Sequence, residues 1–362
     1  MKCHLVLDAQ SKGWVIEKMC RRLGDELTEL GCEVSIGDAP DPACDINHFM
    51  LFWWIPDEIP ACSTIAITHI DDSHRMTLAL AATSKAAMTI CMSTMTVRQL
   101  VTEGVPREKL CYVLPALDPG IAPRRIIIGL TTKLYPDGRK RESLLVRLAQ
   151  EMDLSDFQFD IYGTGWEDVA QKLRSAGAVV ELGADDLPYD AIRQKVRQFD
   201  YYLYMGLDEG SLGTLDALAA GVKTIVTPQG FHVDLPHGIT HPFWHYEELR
   251  DVFESIRDER NNRVRAVAPL TWRRYAERHL SIWQLLAGGR RAEVATMLGQ
   301  ESLEPLGGYS EGMAEHLASE RKRLFARSVL RYKIPRLKGV IAARLRLWFP
   351  RFSRHLFRSE QP

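Results

Sequence analysis

Long hydrophobic runs are missing from this 362-residue sequence. No window approaches the roughly 20 uninterrupted apolar residues that a membrane-spanning helix needs; the best one is broken by Arg344 and Arg346. The opening stretch has Asp8 directly after a three-residue apolar run, which is not the shape of a secretory leader. Cysteine is scarce: there are seven, all between positions 3 and 111, with no Cys-x-x-Cys pair. That scatter excludes a disulfide framework and gives no zinc-ligand spacing, so the thiols are expected to be reduced, in a cytosolic core. Net charge is almost absent too, at −1. That figure is a cancellation, because residues 321–362 hold thirteen Lys and Arg against one acid, a balance of +12. Residues 1–320 therefore carry −13.

What is present is an ordinary globular composition, 46% hydrophobic and 26% charged, which excludes disordered and collagen-like chains. At about 150 residues per domain the length predicts two domains. Apolar runs at 3–7, 33–36, 46–53, 63–68, 88–92 and 110–114 predict strands, and the repeats at 15–30 and 97–102 predict helices. A turn-rich junction, Asp118-Pro-Gly-Ile-Ala-Pro123, follows, and the pattern restarts. Strands are expected at 125–129, 157–162, 179–182, 201–205 and 223–227, with helices at 143–152, 212–220 and 270–286. Strands alternating with helices predict parallel sheets covered on both faces.

The most informative segment is Asp208-Glu-Gly-Ser-Leu-Gly-Thr-Leu-Asp216, between a strand and a short helix. Small residues at 210, 211 and 213 permit close backbone approach by a ligand. The N–H groups of Ser211, Leu212, Gly213 and Thr214 at a helix start suit phosphate oxygens, and Asp216, placed on the first turn, suits sugar hydroxyls. The plain alternative is a strand–loop–helix turn with an acid favourably placed near the dipole. A basic loop, Lys133 to Arg141, follows the first strand of the same half. Loops at the carboxyl ends of parallel strands share a crevice, so Lys133, Arg139 and Lys140 are expected to converge with the Asp208 turn on one anionic group. The alternative there is a solvated surface loop. Gly163-Thr-Gly165 is a tight turn with weak ligand-binding character.

In order and content these motifs resemble the retaining family-4 glycosyltransferases, over about residues 125–290 and more loosely over 93–118. The matching elements are Ile126–Arg141, Asp160–Gly165, Val179–Gly183, Phe199–Leu203, Asp208–Gly221 and the Trp-containing stretch Leu270–His279. The resemblance implies a GT-B fold: two Rossmann-like α/β domains facing a cleft, here 1–121 on the acceptor side and 122–290 on the nucleotide-sugar side. A linker and basic amphipathic tail would occupy 291–362. It implies transfer of a sugar from a nucleoside diphosphate to a glycan or lipid-linked acceptor with retention, without a metal or cofactor, the nucleotide sugar being a substrate. No Asp-x-Asp metal motif stands in the expected place; Asp71-Asp72 is an adjacent pair.

The family's Glu-x7-Glu signature falls on Asp208 and Asp216, with Glu209 one residue out of register. Either Asp208 or Glu209 would face the donor sugar. Lys133, Arg139, Lys140 and the 211–214 amides would stabilise the leaving phosphate, Gly163 would line the donor site, and Asp216 would hold the ribose. His69 is the candidate near the reacting sugar, with Asp71 as an acceptor contact; alternatively Asp71 or Asp72 caps a helix. Gly13 and Trp14, with Lys12, would line the acceptor side, and His232 and Asp234 are further candidates. In the tail, Trp348 and several Phe and Leu residues interleave with the cations. That pattern suits an anionic membrane surface at the inner face of a cytoplasmic membrane, or packing against the acidic body. Nothing points to nucleic acid. A non-catalytic nucleotide- or glycan-binding module, recruited by the tail, is the second reading.

Overall fold

Among the described residues, the alternation of β-branched runs with helical repeats produces twelve strands in two six-stranded sheets, every pairing parallel. The computed structural model describes residues 1–11, 13–184, 187–303 and positions 316, 319, 320 and 323. Contacts divide the chain into two units: Met1–Pro119 with the chain from Leu270, and Gly120–Pro269.

In the first unit β1 (Lys2–Val6), α1 (Val15–Glu29), β2 (Glu33–Gly37), β3 (Ile46–Phe49), β4 (Ser63–Ile67), α2 (Ser73–Lys85), β5 (Met88–Cys91), α3 (Thr94–Thr102) and β6 (Leu110–Tyr112) follow one another. The sheet order is β2-β1-β3-β4-β5-β6. Met19, Cys20, Leu23 and Leu27 recur at helical spacing in α1 and are buried in one core, while Ala79, Ala82, Val97 and Leu100 of α2 and α3 are buried in another. All seven cysteines are free thiols.

The second unit contains β7 (Ile126–Leu130), α4 (Ser143–Glu151), β8 (Phe157–Ile161), α5 (Glu167–Ser175), β9 (Val179–Leu182), α6 (Tyr189–Val196), β10 (Tyr201–Tyr204), α7 (Leu212–Ala219), β11 (Lys223–Val226), β12 (His241–Pro242) and α8 (Tyr246–Val267). Its order, β12-β11-β10-β7-β8-β9, starts at β7, runs out to one edge, then returns to the other side of β7. This is a Rossmann-like order, and its reversal point lies between β7 and β10. Alternate residues of β10 feed opposite cores: Tyr201 and Leu203 join α4, α5 and α8, while Tyr202 and Tyr204 join α6 and α7.

The chain then returns to the first unit through α9 (Trp272–Ala287) and α10 (Val294–Met297). This differs from the boundary at 290 expected from the sequence. Trp272, Tyr275, Ala276, Ile282, Trp283 and Leu286 are buried in the same core as α1, as are Val294 and Leu298, so residues 270–298 belong physically with the N-terminal half. The first boundary falls at 119/120 rather than 121/122. The sequence pattern also overlooks α6 and the 22-residue α8, and β3 stops at Phe49 rather than continuing to Trp53. The basic segment 321–362, apart from Arg323, lies outside the described residues, as does Lys12. No described helix is long and apolar enough to cross a membrane.

Candidate active site

At the reversal point of the second sheet, the loop after β7 and the loop after β10 leave neighbouring carboxyl ends, where ligands of open parallel sheets sit. The two loops are joined directly: the Leu207 amide donates to the Arg139 carbonyl at 2.8 Å. Below this bond lies a closed triangle of side chains. Lys140 Nζ is 2.7 Å from Asp208 Oδ2 and donates to the Tyr204 hydroxyl at 2.7 Å, and that hydroxyl donates to Asp208 Oδ1. Lys140 is only 9% exposed and also lies 4.8 Å from the centre of the Tyr204 ring. Burial raises the Asp208 pKa, but Lys140 and Tyr204 more than offset this, leaving it below the ordinary carboxylate value. The Tyr204 phenol is pushed up, by burial first and then by the adjacent carboxylate.

The start of α7 is held by a second chain of hydroxyls. Thr131 Oγ1, the Tyr202 hydroxyl and Ser211 Oγ follow at 2.8 Å each. Gly213 is required here, because a Cβ would lie 2.0 Å from Thr131 Oγ1 and 2.4 Å from the Tyr202 hydroxyl. The buried His232 closes the turn: its Nε2 accepts the Ser211 amide at 3.3 Å and pairs with Thr214 Oγ1 at 3.0 Å. An amide can only donate, so Nε2 carries no proton. Burial depresses the His232 pKa, in keeping with a neutral ring.

Several expected ligand contacts are thus already engaged within the protein. Ser211 caps α7, its Oγ accepting the Gly213 amide at 3.3 Å, and the Thr214 amide donates to the Ser211 carbonyl at 2.9 Å. The Leu212 amide is the one in this turn with no partner among the described residues. Asp216 lies on the second turn of α7, not the first. It accepts from the Tyr189 hydroxyl at 2.7 Å and pairs with Arg193 at 3.4 Å, both on α6. Gly163 packs against the loop after β7; with φ +151°, a Cβ there would stand 2.2 Å from the Thr132 carbonyl oxygen.

Two arginines of the basic loop are partnered as well. Arg139 is exposed and pairs with Asp137 at 2.5 Å, while Lys133 is exposed with no ion pair among the described residues. Arg141 is a cross-link, donating to the Met205 carbonyl at 2.6 Å, the Trp244 carbonyl at 2.9 Å and Thr227 Oγ1. The carboxylate of Glu209 is exposed, whereas that of Asp208 is the one drawn into the triangle. Tyr202 and Tyr204 escape sequence reasoning, because in β10 the Tyr-Tyr-Leu-Tyr pattern reads only as core. Their signal is position, two phenols two residues apart just before an acidic turn.

The acceptor-side candidates belong to the first unit. His69, after β4, is exposed; its Nδ1 meets Thr68 Oγ1 at 2.9 Å and its Nε2 meets Arg75 at 2.5 Å. Asp71 pairs with Arg75 at 3.2 Å, and Asp72 caps α2 by accepting the Arg75 amide at 2.7 Å. Gly13 adopts φ +80° and donates its amide to Glu17, next to Trp14, which is 72% exposed at the start of α1.

No protein-family model and no curated protein matches the sequence. Among solved structures, a chain of the "GtfA/B complex" aligns at 14% identity over 68% of this chain, with a TM-score of 0.28. This chain spans 57% of that one's length. The "lipopolysaccharide outer core galactosyltransferase WaaB apo form" aligns at 12% identity, covering 79% of this chain and 99% of that one, with a TM-score of 0.31. Sucrose-phosphate synthase from Thermosynechococcus elongatus aligns at 12% identity, covering 80% and 100%, with a TM-score of 0.34.

Proposed function

We propose that this chain is a glycosyltransferase that moves a sugar from a nucleoside diphosphate to a glycan or lipid-linked acceptor, with retention and without a catalytic metal. The observation that carries the reading is the meeting, at the carboxyl ends of β7 and β10, of a basic loop and an acidic turn through Lys140 and Asp208, 2.7 Å apart. Departure of a diphosphate builds negative charge on its oxygens, and fixed cations there lower the barrier. Arg139, Lys133 and the Leu212 amide would bind the phosphates, and Lys140 would meet the developing charge while Asp208 holds its position. Glu209, exposed beside them, would accept from hydroxyls of the donor sugar, and Asp216 with Tyr189 would hold the ribose. His69 and Asp71, with Gly13 and Trp14, would serve the acceptor. Residues 321–362 would hold the enzyme on an anionic membrane at the cytoplasmic face.

A non-catalytic binding module is the second reading, favoured by Asp216 already being held by Tyr189 and Arg193. The deciding assay incubates the full chain with a panel of nucleoside diphosphate sugars, with and without lipid acceptor and anionic vesicles, and measures free nucleotide. Turnover with one donor is expected, and Lys133→Ala should weaken donor binding about tenfold, the worth of one charge-assisted hydrogen bond. Nucleotide binding without turnover on any donor would establish the binding module instead.

A further inference from the structure

A second constellation lies in the first unit, at the edge of its sheet. His4 in β1 and Ser35 in the edge strand β2 are register partners, which places their side chains on one face. The loop from β2 to β3 brings Asp41 and Cys44 to the same place. A ring nitrogen of His4, the Cys44 sulfur and an Asp41 carboxylate oxygen all lie within 4.8 Å of one another. Cys44 Sγ and Asp41 Oδ2 are 3.4 Å apart, close to the spacing of two ligands on one tetrahedral ion.

The hydrogen bonds around these groups prepare them for an ion. His4 Nε2 is 2.9 Å from the Ala39 carbonyl, which can only accept, so Nε2 carries the proton and Nδ1 offers a lone pair. That is the outer-shell arrangement of metal-binding histidines. Nδ1 is 2.7 Å from Ser35 Oγ, whose hydroxyl proton can turn away when an ion takes the lone pair. The Asp41 end is held as well. Asn47, 1% exposed, accepts the Asp41 amide at 2.7 Å and donates to the Asp41 carbonyl at 2.8 Å. The Ala43 amide binds Asp41 Oδ1 at 2.9 Å, leaving Oδ2 directed at Cys44.

We propose that His4, Asp41 and Cys44 form a structural Zn2+ site, with Nδ1, a carboxylate oxygen and a thiolate as ligands and the Ser35 hydroxyl or a water as the fourth. One imidazole, one thiolate and one carboxylate suit a borderline ion such as Zn2+ and not the hard, all-oxygen preference of Mg2+ or Ca2+. Binding displaces the thiol proton to solvent as the sulfur–metal bond forms. The ion ties the 38–45 loop to β1, the strand that carries His4. No metal-ligand spacing is visible in the sequence because strand pairing, not proximity in the chain, brings position 4 to positions 41 and 44.

The test uses the full chain, stripped with a chelator and titrated with Zn2+, alongside Cys44→Ser and Asp41→Asn. Wild type should take one equivalent and gain thermal stability with it, each variant should bind at least about tenfold more weakly, and Co2+ should give a thiolate charge-transfer band that Cys44→Ser lacks. Zn2+ should also slow alkylation of Cys44 but not of Cys62, the other partly exposed thiol. Absence of one-equivalent binding in wild type, binding unchanged by Cys44→Ser, or alkylation of wild-type Cys44 unaffected by Zn2+ would overturn the proposal.

Discussion

Lys140 is an ammonium that has lost most of its water, and such a group is retained only where a counter-charge and hydrogen bonds replace the lost hydration. Asp208 and Tyr204 supply both, and in return Lys140 holds the Asp208 carboxyl below its ordinary pKa against the upward push of burial. A carboxyl depressed in the folded state stabilises the fold above its unfolded value of about 4, and that contribution disappears as the pH falls through the folded value. Asp208→Asn should therefore be less stable than wild type at pH 7, by roughly 1–3 kcal/mol for a pair that is partly exposed. Urea unfolding of the two proteins from pH 7 to pH 3 should show the gap closing at the acid end. The sequence places a basic loop and an acidic turn at one crevice, because both follow parallel strands. It does not disclose that Asp208 holds Lys140 in place, because a side-chain pair 68 positions apart leaves no local pattern.

Among the elements, the Gly163–Gly165 turn shows how a sequence motif can change its meaning. As a Gly-x-Gly after a strand it suggests a ligand loop, but it packs instead under the loop after β7. The Leu134 amide donates to the Thr164 carbonyl at 3.0 Å, and Trp166 Nε1 donates to the Thr132 carbonyl at 2.6 Å. Gly163→Ala would drive a Cβ into backbone at a φ that L-residues avoid, so a loss of about 2–4 kcal/mol is expected in chemical denaturation. Donor binding should weaken with it, since the same loop carries Lys133 and Arg139. Strands such as β7 were legible because three isoleucines and a leucine in five residues fit only a strand buried on both faces. Helix α8 was overlooked, although Tyr246, Leu249, Phe253 and Ile256 recur at helical spacing and Glu248 accepts the Trp244 and His245 amides at its start. Its second half is largely charged and buries little, which dilutes the periodicity over the whole 22 residues.

Across the whole molecule, chain order and physical unit part company at residue 270. Trp272, Tyr275, Ile282, Trp283 and Leu286 of α9 are buried in the core of the first unit, each contributing roughly 1.5–3 kcal/mol, a total comparable with the entire stability of a typical domain. A chain ending at Pro269 should therefore lose the cooperative unfolding transition of its N-terminal half, while residues 120–269 expressed alone should fold. Circular dichroism melts and amide dispersion in NMR spectra of both fragments check this, and a natively folded 1–119 would refute it.

Composition and periodicity by themselves determined the α/β class, the two-unit plan and the convergence of the 131–141 loop with the Asp208 turn, because each depends on local pattern and on where parallel strands end. Tertiary structure alone decided which charges remain free, which glycines exist for packing, that α9 belongs to the first unit, and that His4 meets Asp41 and Cys44. Those outcomes depend on contacts between residues far apart in the chain, and such contacts leave no periodicity to read.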